Sequence, residues 1–132
     1  MPAHEHLKGE QLSMFMPAHK LMAYPSAEYW DDADDKRFSG SFGGDKELVA
    51  MKRHENTKST SFTKHDGEFR EEEALGPNVA REGVHKPVML GVDRYSRSKV
   101  IWNGHHRTLA AFDANPNMEV PVTHGYTTYE KT

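Results

Sequence analysis

The stretch VIWNGHHRTLAAFDANPNMEVPV, residues 100–122, decides the fold because it contains two apolar runs with an alanine-rich segment between them. The apolar runs are partly β-branched and predict strands near residues 98–102 and 119–124. The alanine-rich segment predicts a helix over residues 105–114 that is apolar nearly all round and therefore buried. The dipeptide Asn115-Pro116 ends this helix, since a residue that precedes proline avoids helical geometry.

The residues before this stretch extend the prediction to an α+β fold, a small mixed sheet with packed helices. The run PVMLGV adds a strand near residues 87–92, in a hairpin with the next strand or adjacent to it. Asp45 is a capping residue for a short helix that includes Leu48 and Met51. Pro121 favours an edge strand or an early position in its strand.

Three other segments are predicted from local signals. Leu12, Phe15 and Met16 recur at helical spacing before Pro17, which predicts one or two short helices. We therefore assign residues 1–44 to an N-terminal extension of short helices and loops, and residues 45–132 to the domain. Residues 57–69 are predicted as a polar loop around Asp66-Gly67, and residues 70–84 as helical turns broken at Gly76-Pro77.

Composition excludes several classes of site. The chain has no cysteine, so disulfides, thiolate metal sites and cysteine nucleophiles are absent. Its net charge is −3, but residues 81–107 carry 6 basic and 2 acidic side chains. There is no signal-peptide pattern and no apolar run long enough for a membrane span, so we expect a cytoplasmic protein with no membrane partner.

The turn Gly104-His105-His106-Arg107 lies where the predicted strand meets the predicted helix. Free N–H groups at the start of a helix attract anions, and glycine permits close approach to the backbone. Arg107 offers a forked pair of donors to phosphate, and either histidine can move a proton. The alternative is a tight turn with surface histidines and an arginine that pairs with a nearby carboxylate.

Three motifs in order resemble the ParB/sulfiredoxin-like superfamily: GVHKPV at residues 83–88, NGHHRTLAA at 103–111 and VPV at 120–122. The resemblance covers about residues 70–126. It implies an α+β fold in which the G-x-x-R turn cradles nucleotide phosphates. Members of this superfamily include CTP-dependent partition proteins, an ATP-dependent sulfinic acid reductase, a kinase of free serine and nucleases. The absence of cysteine excludes the reductase chemistry, and the few residues after VPV favour a stand-alone domain of phage or mobile-element type.

The resemblance implies a small domain that binds nucleotide phosphates or nucleic acid, with a nucleoside triphosphate and Mg²⁺ as the candidate cofactors. One alternative is a metal-dependent nuclease or phosphotransferase on the same scaffold, and another is a module that binds a host protein through the N-terminal extension. Glu72 is a candidate catalytic carboxylate, although acidic residues at 71–73 also suit the first turn of a helix. No metal ligands are assigned. The candidate phosphate-binding residues are Asn103, Gly104, His105, His106, Arg107 and Thr108, and the candidate catalytic residues are His105, His106 and Glu72.

Overall fold

The structure, a computed structural model, describes residues 8–27, 40–63, 67, 69–92 and 98–126. The elements are β1 Lys8–Pro17, α1 Ala18–Leu21, α2 Lys46–Glu55, β2 Thr60–Thr63, β3 Phe69–Glu72, α3 Leu75–Glu82, β4 Val88–Val92, β5 Lys99–Asn103, α4 His105–Ala114 and β6 Glu119–Tyr126. The predicted α+β class is confirmed.

A mixed four-stranded sheet has the strand order β1-β6-β4-β5. β4 and β5 are antiparallel neighbours, as predicted, whereas β6 runs parallel to β4 and antiparallel to β1. Pro121 therefore lies in an interior strand, so of its two predicted positions the edge strand is wrong and the early position in the strand is confirmed. It is near the start of β6, in the part that pairs with Phe15 of β1 before the ladder with β4 begins at Val122.

The helix predicted around Leu12 and Phe15 is wrong, because these residues belong to β1. Phe15 is 62% exposed and the next residue, Met16, is 8% exposed, an in–out alternation that suits a strand. The ladder with β6 supplies the backbone partners that a helix would have supplied internally. Pro17 ends the strand and caps α1. Residues 8–17, within the segment assigned as an extension, thus pair in the same sheet as β4 and β5.

The hydrophobic core fills the space between one face of the sheet and the helices. α4 has the predicted bounds, and it contacts α1, α2 and α3 as well as β4. Leu109 and Ala111 of this helix are fully buried. A smaller cluster of Val100, Trp102 and Ala27 lies on the other face of the sheet, away from the main core. Alternation along β5 sends Ile101 to the main core and its two neighbours to the smaller one.

The segment before β4 differs from its prediction in two places. β2 and β3 form a separate two-stranded antiparallel sheet, β2 where a polar loop was predicted and most of β3 where helical turns were predicted. Glu72 is the last residue of β3, so it does not lie in the first turn of a helix. α3 runs through Gly76-Pro77 without a break, because both residues lie in its first turn, where the missing N–H of proline has no partner to lose.

α2 begins at Asp45, as predicted. The Asp45 carboxylate accepts a hydrogen bond from the N–H of Leu48 at 3.1 Å. At the other end of the helix, the side-chain amide of Asn56 donates to the backbone carbonyl of His106 at 3.1 Å. The backbone carbonyl of Asn56 accepts from the N–H of Gly76 at 2.9 Å. Asn56 thereby joins the ends of three helices and fixes their positions around the first turn of α4.

Candidate functional site

The GHHR turn, as we call Gly104 to Arg107, connects β5 to α4. Gly104 caps the helix with φ 107° and ψ 22°, a left-handed conformation that favours glycine, and no side chain caps the first turn. A Cβ on Gly104 would lie 3.0 Å from the Arg107 Nη2 and 3.1 Å from the Val88 Cα. The N–H groups of the first turn have no intrahelical acceptors, so they suit an anion.

Arg107 packs its guanidinium group against Gly104 in a half-buried position. Its Nη2 donates to the carbonyl of Pro87 at 2.8 Å, and its Nε is buried with no hydrogen-bond partner among the described residues. Among the described residues, no carboxylate pairs with this guanidinium. Burial lowers the pKa of Arg107 from its usual value, because desolvation disfavours the charged form. A bound anion would relieve this cost.

His105 and His106 point in different directions. His105 is 3% exposed, its Nε2 shares a 2.6 Å hydrogen bond with the Ser26 hydroxyl, and the edge of its ring meets Phe42 at a centroid distance of 5.2 Å. Successive helical residues are about 100° apart around the axis, so His106 projects to the protein surface. Of the two candidate histidines, only His106 offers an accessible side chain.

Asn103 and Thr108 flank the turn. Asn103 ends β5 in register with Met89, and its side chain is partly exposed. Thr108 is fully buried, and both its hydroxyl and its N–H donate to the carbonyl of Gly104 at 2.9 Å. Thr108 therefore stabilises the turn from the interior of the protein.

The His106 cleft, as we call it, is a cavity of about 620 Å³ that His106 lines, whereas Gly104 and Arg107 are not among its lining residues. His106 Nε2 lies 2.9 Å from Glu55 Oε1. Glu72, the predicted catalytic carboxylate, lines the same cleft although it comes from β3. The fold thus brings two of the three candidate catalytic residues together. The other polar residues that line the cleft are Asn56, Lys58, Glu73 and Asn78.

The carboxylates of this cleft differ in their partners. Glu73 forms two hydrogen bonds of 2.6 Å with Arg81, which hold the pKa of Glu73 below its usual value. The hydrogen bond from His106 likewise lowers the pKa of Glu55. Glu72 is exposed and has no ion pair within the described part of the chain. Of the carboxylates of Glu55, Glu72 and Glu73, therefore, only that of Glu72 has no ion-pair partner among the described residues.

Sequence reasoning missed Glu55 and Asn56. Both lie about 50 positions before His106, at the end of α2, and only the packing of α2 on α4 brings them to the site. The sequence signal for a helix that begins at Asp45 was clear, but nothing local indicated which neighbour its last turn would meet.

The described ranges contain neither a cluster of metal ligands nor a membrane-spanning helix. No group of three or more histidine, aspartate or glutamate side chains there has the geometry to hold a metal ion. No helix in those ranges is long and apolar enough to cross a membrane.

Comparisons of the chain with protein-family models, with curated proteins and with solved structures find no match. The ParB/sulfiredoxin-like assignment accordingly stays a prediction from the three sequence motifs.

Proposed function

We propose that this protein binds a nucleotide through its phosphates at the turn between β5 and α4. The observation that carries the proposal is the state of Arg107: a half-buried guanidinium that has no carboxylate partner among the described residues and keeps one buried donor unused. A buried charge without a partner is costly, so such an arrangement is stable when an anion completes it.

The surroundings of Arg107 suit a phosphate group. The guanidinium lies beside the residue that precedes α4, since Arg107 Nη2 is 3.0 Å from the Cβ position of Gly104, and no side chain caps the first turn of that helix. Phosphate oxygens accept hydrogen bonds both from backbone N–H groups and from a guanidinium group. The resemblance to the ParB/sulfiredoxin-like superfamily implies the same function, and its second motif contains Gly104 and Arg107.

A thermal-shift experiment with ATP, GTP, CTP and UTP, each with Mg²⁺, tests the proposal. A nucleotide at 100 times its Kd should stabilise the protein by about 2.7 kcal/mol. Arg107→Ala should weaken binding roughly 10- to 150-fold, because charge-assisted hydrogen bonds contribute about 1.5 to 3 kcal/mol. Arg107→Lys should restore part of the affinity, since lysine keeps the charge but not the fork.

Arg53→Ala is the matched control. It removes the same charge from an exposed arginine that pairs with Asp113 at 2.8 Å, and it should leave nucleotide affinity unchanged. If no nucleotide stabilises the protein, or if Arg107→Ala and Arg53→Ala bind alike, the proposal is wrong. Short single- and double-stranded DNA, tested at low salt, would show whether the turn takes nucleic acid instead.

The second candidate function is catalysis on the same scaffold, as a phosphotransferase or a nuclease. One observation favours it: the accessible His106, which belongs to the GHHR turn and is hydrogen-bonded to Glu55, shares a cleft with Glu72. A histidine with a carboxylate partner is a common general base. Incubation with plasmid DNA and Mg²⁺ or Mn²⁺ tests the nuclease, provided that His106→Ala abolishes the cutting.

A further inference from the structure

Ser26 and His105 form a short side-chain hydrogen bond where the edge of β5 meets the start of α4. Ser26 Oγ lies 2.6 Å from His105 Nε2. This distance is shorter than the roughly 2.7 to 3.2 Å of bonds in which an N–H group donates to oxygen, so the hydroxyl is the donor. A serine hydroxyl that donates to an imidazole lone pair has the arrangement of a nucleophile with its general base.

Backbone hydrogen bonds hold Ser26 beside the edge strand. The N–H of Ile101 donates to the carbonyl of Pro25 at 2.8 Å, and the N–H of Ala27 donates to the carbonyl of Ile101 at 3.0 Å. Ser26 is thereby bridged in parallel to Ile101, whose side chain belongs to the main core. His105 is the first residue of α4 and is 3% exposed. Both partners of the pair are therefore fixed by the fold.

Ser26 lines a second cavity, which we call the α2 cavity because the start of α2 lines it too. Its volume is about 610 Å³, and its other lining residues are two glycines, Ser41, Asp45, Lys46 and Glu47. The described residues of this lining include no aliphatic or aromatic side chain, and two carboxylates there face one ammonium group. A long alkyl chain would find no apolar contact, so the cavity suits a small polar molecule without negative charge.

The first turn of α2 supplies hydrogen-bond donors at the same cavity. The Asp45 carboxylate accepts from the N–H of Leu48, and the Asp45 carbonyl accepts from the N–H of Val49. The N–H groups of Lys46 and Glu47, which come before them, have no intrahelical acceptor. Donors at the start of a helix stabilise negative charge that develops on a carbonyl oxygen. The α2 cavity thus combines a nucleophile with donors for an oxyanion.

We propose that Ser26 is the nucleophile and His105 the general base of an acyl transfer in the α2 cavity, and that the substrate is a short, uncharged ester. The described residues that line this cavity do not include Arg107. Acyl transfer there and nucleotide binding at the GHHR turn are therefore separate properties, and each has its own test.

The reaction consumes one water and conserves atoms and charge. Ser26 Oγ attacks the carbonyl carbon of the ester while its proton moves to His105 Nε2. The bond from that carbon to the alcohol oxygen breaks, and the alcohol leaves with the electron pair and the proton from His105. Water then attacks the acyl group on Ser26, and His105 takes a proton from the water and returns it to Ser26 Oγ as the acid leaves.

A fluorophosphonate, which phosphonylates activated serine hydroxyls with loss of fluoride, tests the nucleophile in the unaltered chain. Ser41 is the matched control: it lines the same cavity and is more exposed than Ser26, but its Oγ accepts from the N–H of Gly44 at 3.0 Å. Peptide mapping by mass spectrometry should find the label on Ser26 and not on Ser41. No label on Ser26, or an equal label on Ser41, overturns the proposal.

Substitution by cysteine tests the base. The chain has no cysteine, so Ser26→Cys and Ser41→Cys each place one thiol in the same cavity. Burial alone raises the pKa of a thiol, whereas an adjacent imidazolium lowers it. Iodoacetamide should therefore alkylate Ser26→Cys at lower pH than Ser41→Cys, and an equal or reversed order overturns the role of His105. His105→Gln should slow fluorophosphonate labelling of Ser26 about 100-fold.

Two nitrophenyl esters test the substrate class. Release of nitrophenol, measured by absorbance, should be faster from p-nitrophenyl acetate than from p-nitrophenyl octanoate, because the described lining offers no apolar contact to the longer chain. Ser26→Ala should reduce the rate to that of the uncatalysed reaction. Preference for the octanoate, or an unchanged rate in Ser26→Ala, overturns the proposal.

Discussion

Replacing Gly104 with alanine should destabilise the protein through two separable effects. The first is the backbone: φ is 107°, and an alanine held in such a conformation costs about 1 to 3 kcal/mol. The second is contact, since the new Cβ would lie 3.0 Å from Val88 Cγ2 and 3.1 Å from Val88 Cα. Val88 belongs to a strand paired on both sides and cannot move freely, so overpacking adds about 1 to 3 kcal/mol. The total loss is about 2 to 6 kcal/mol.

Gly83→Ala is the control for the backbone effect. Gly83 has φ 79° and ψ −172°, a region at least as restricted to glycine, but a Cβ there would meet nothing within 4 Å. Urea unfolding of the three proteins, with the slope m held constant, gives the two losses. If Gly104→Ala costs no more than Gly83→Ala, the close approach of Gly104 to β4 does not constrain the turn, and the packing argument fails.

Three further predictions concern stability and pH. Asp45→Ala should lower the free energy of unfolding by about 1 kcal/mol in urea titrations, because the N–H of Leu48 loses its acceptor. An unchanged urea midpoint would show that the Asp45 cap does not stabilise α2. Trp102→Ala should cost about 3 to 5 kcal/mol by the same assay, because Trp102 is 2% exposed; a loss below about 1 kcal/mol would mean that its site is open to water. Burial and then Lys99 lower the pKa of His124, so protonation favours the unfolded state. The contribution of neutral His124 to the free energy of unfolding is therefore complete above the pKa that His124 has in the unfolded chain. It declines as the pH falls from about 7 to 5. His124→Gln should reduce that decline in urea midpoints measured across this range, and an identical decline would exclude His124 as its source.

The sequence by itself determined the elements whose signals are local. Runs of β-branched residues predict β4 and β5. The alanine-rich segment, followed by Asn115-Pro116, predicts the bounds of α4. The cap of α2 at Asp45 is equally local, since the acceptor and the N–H it serves are three residues apart. The glycine at position 104 was recognisable as a turn residue for the same reason: the left-handed backbone is a property of one residue.

Tertiary structure decided the elements and contacts whose partners are distant in the chain. Leu12 and Phe15 carry a helical spacing, yet the ladder with β6 places them in a strand, because paired backbone groups outweigh a weak local preference. His105 and His106 are neighbours in sequence with equal chemistry. Only the packing of α4 sends the first to Ser26 in the core and the second to Glu55 in the cleft, because the interior side of a helix is set by what it packs against.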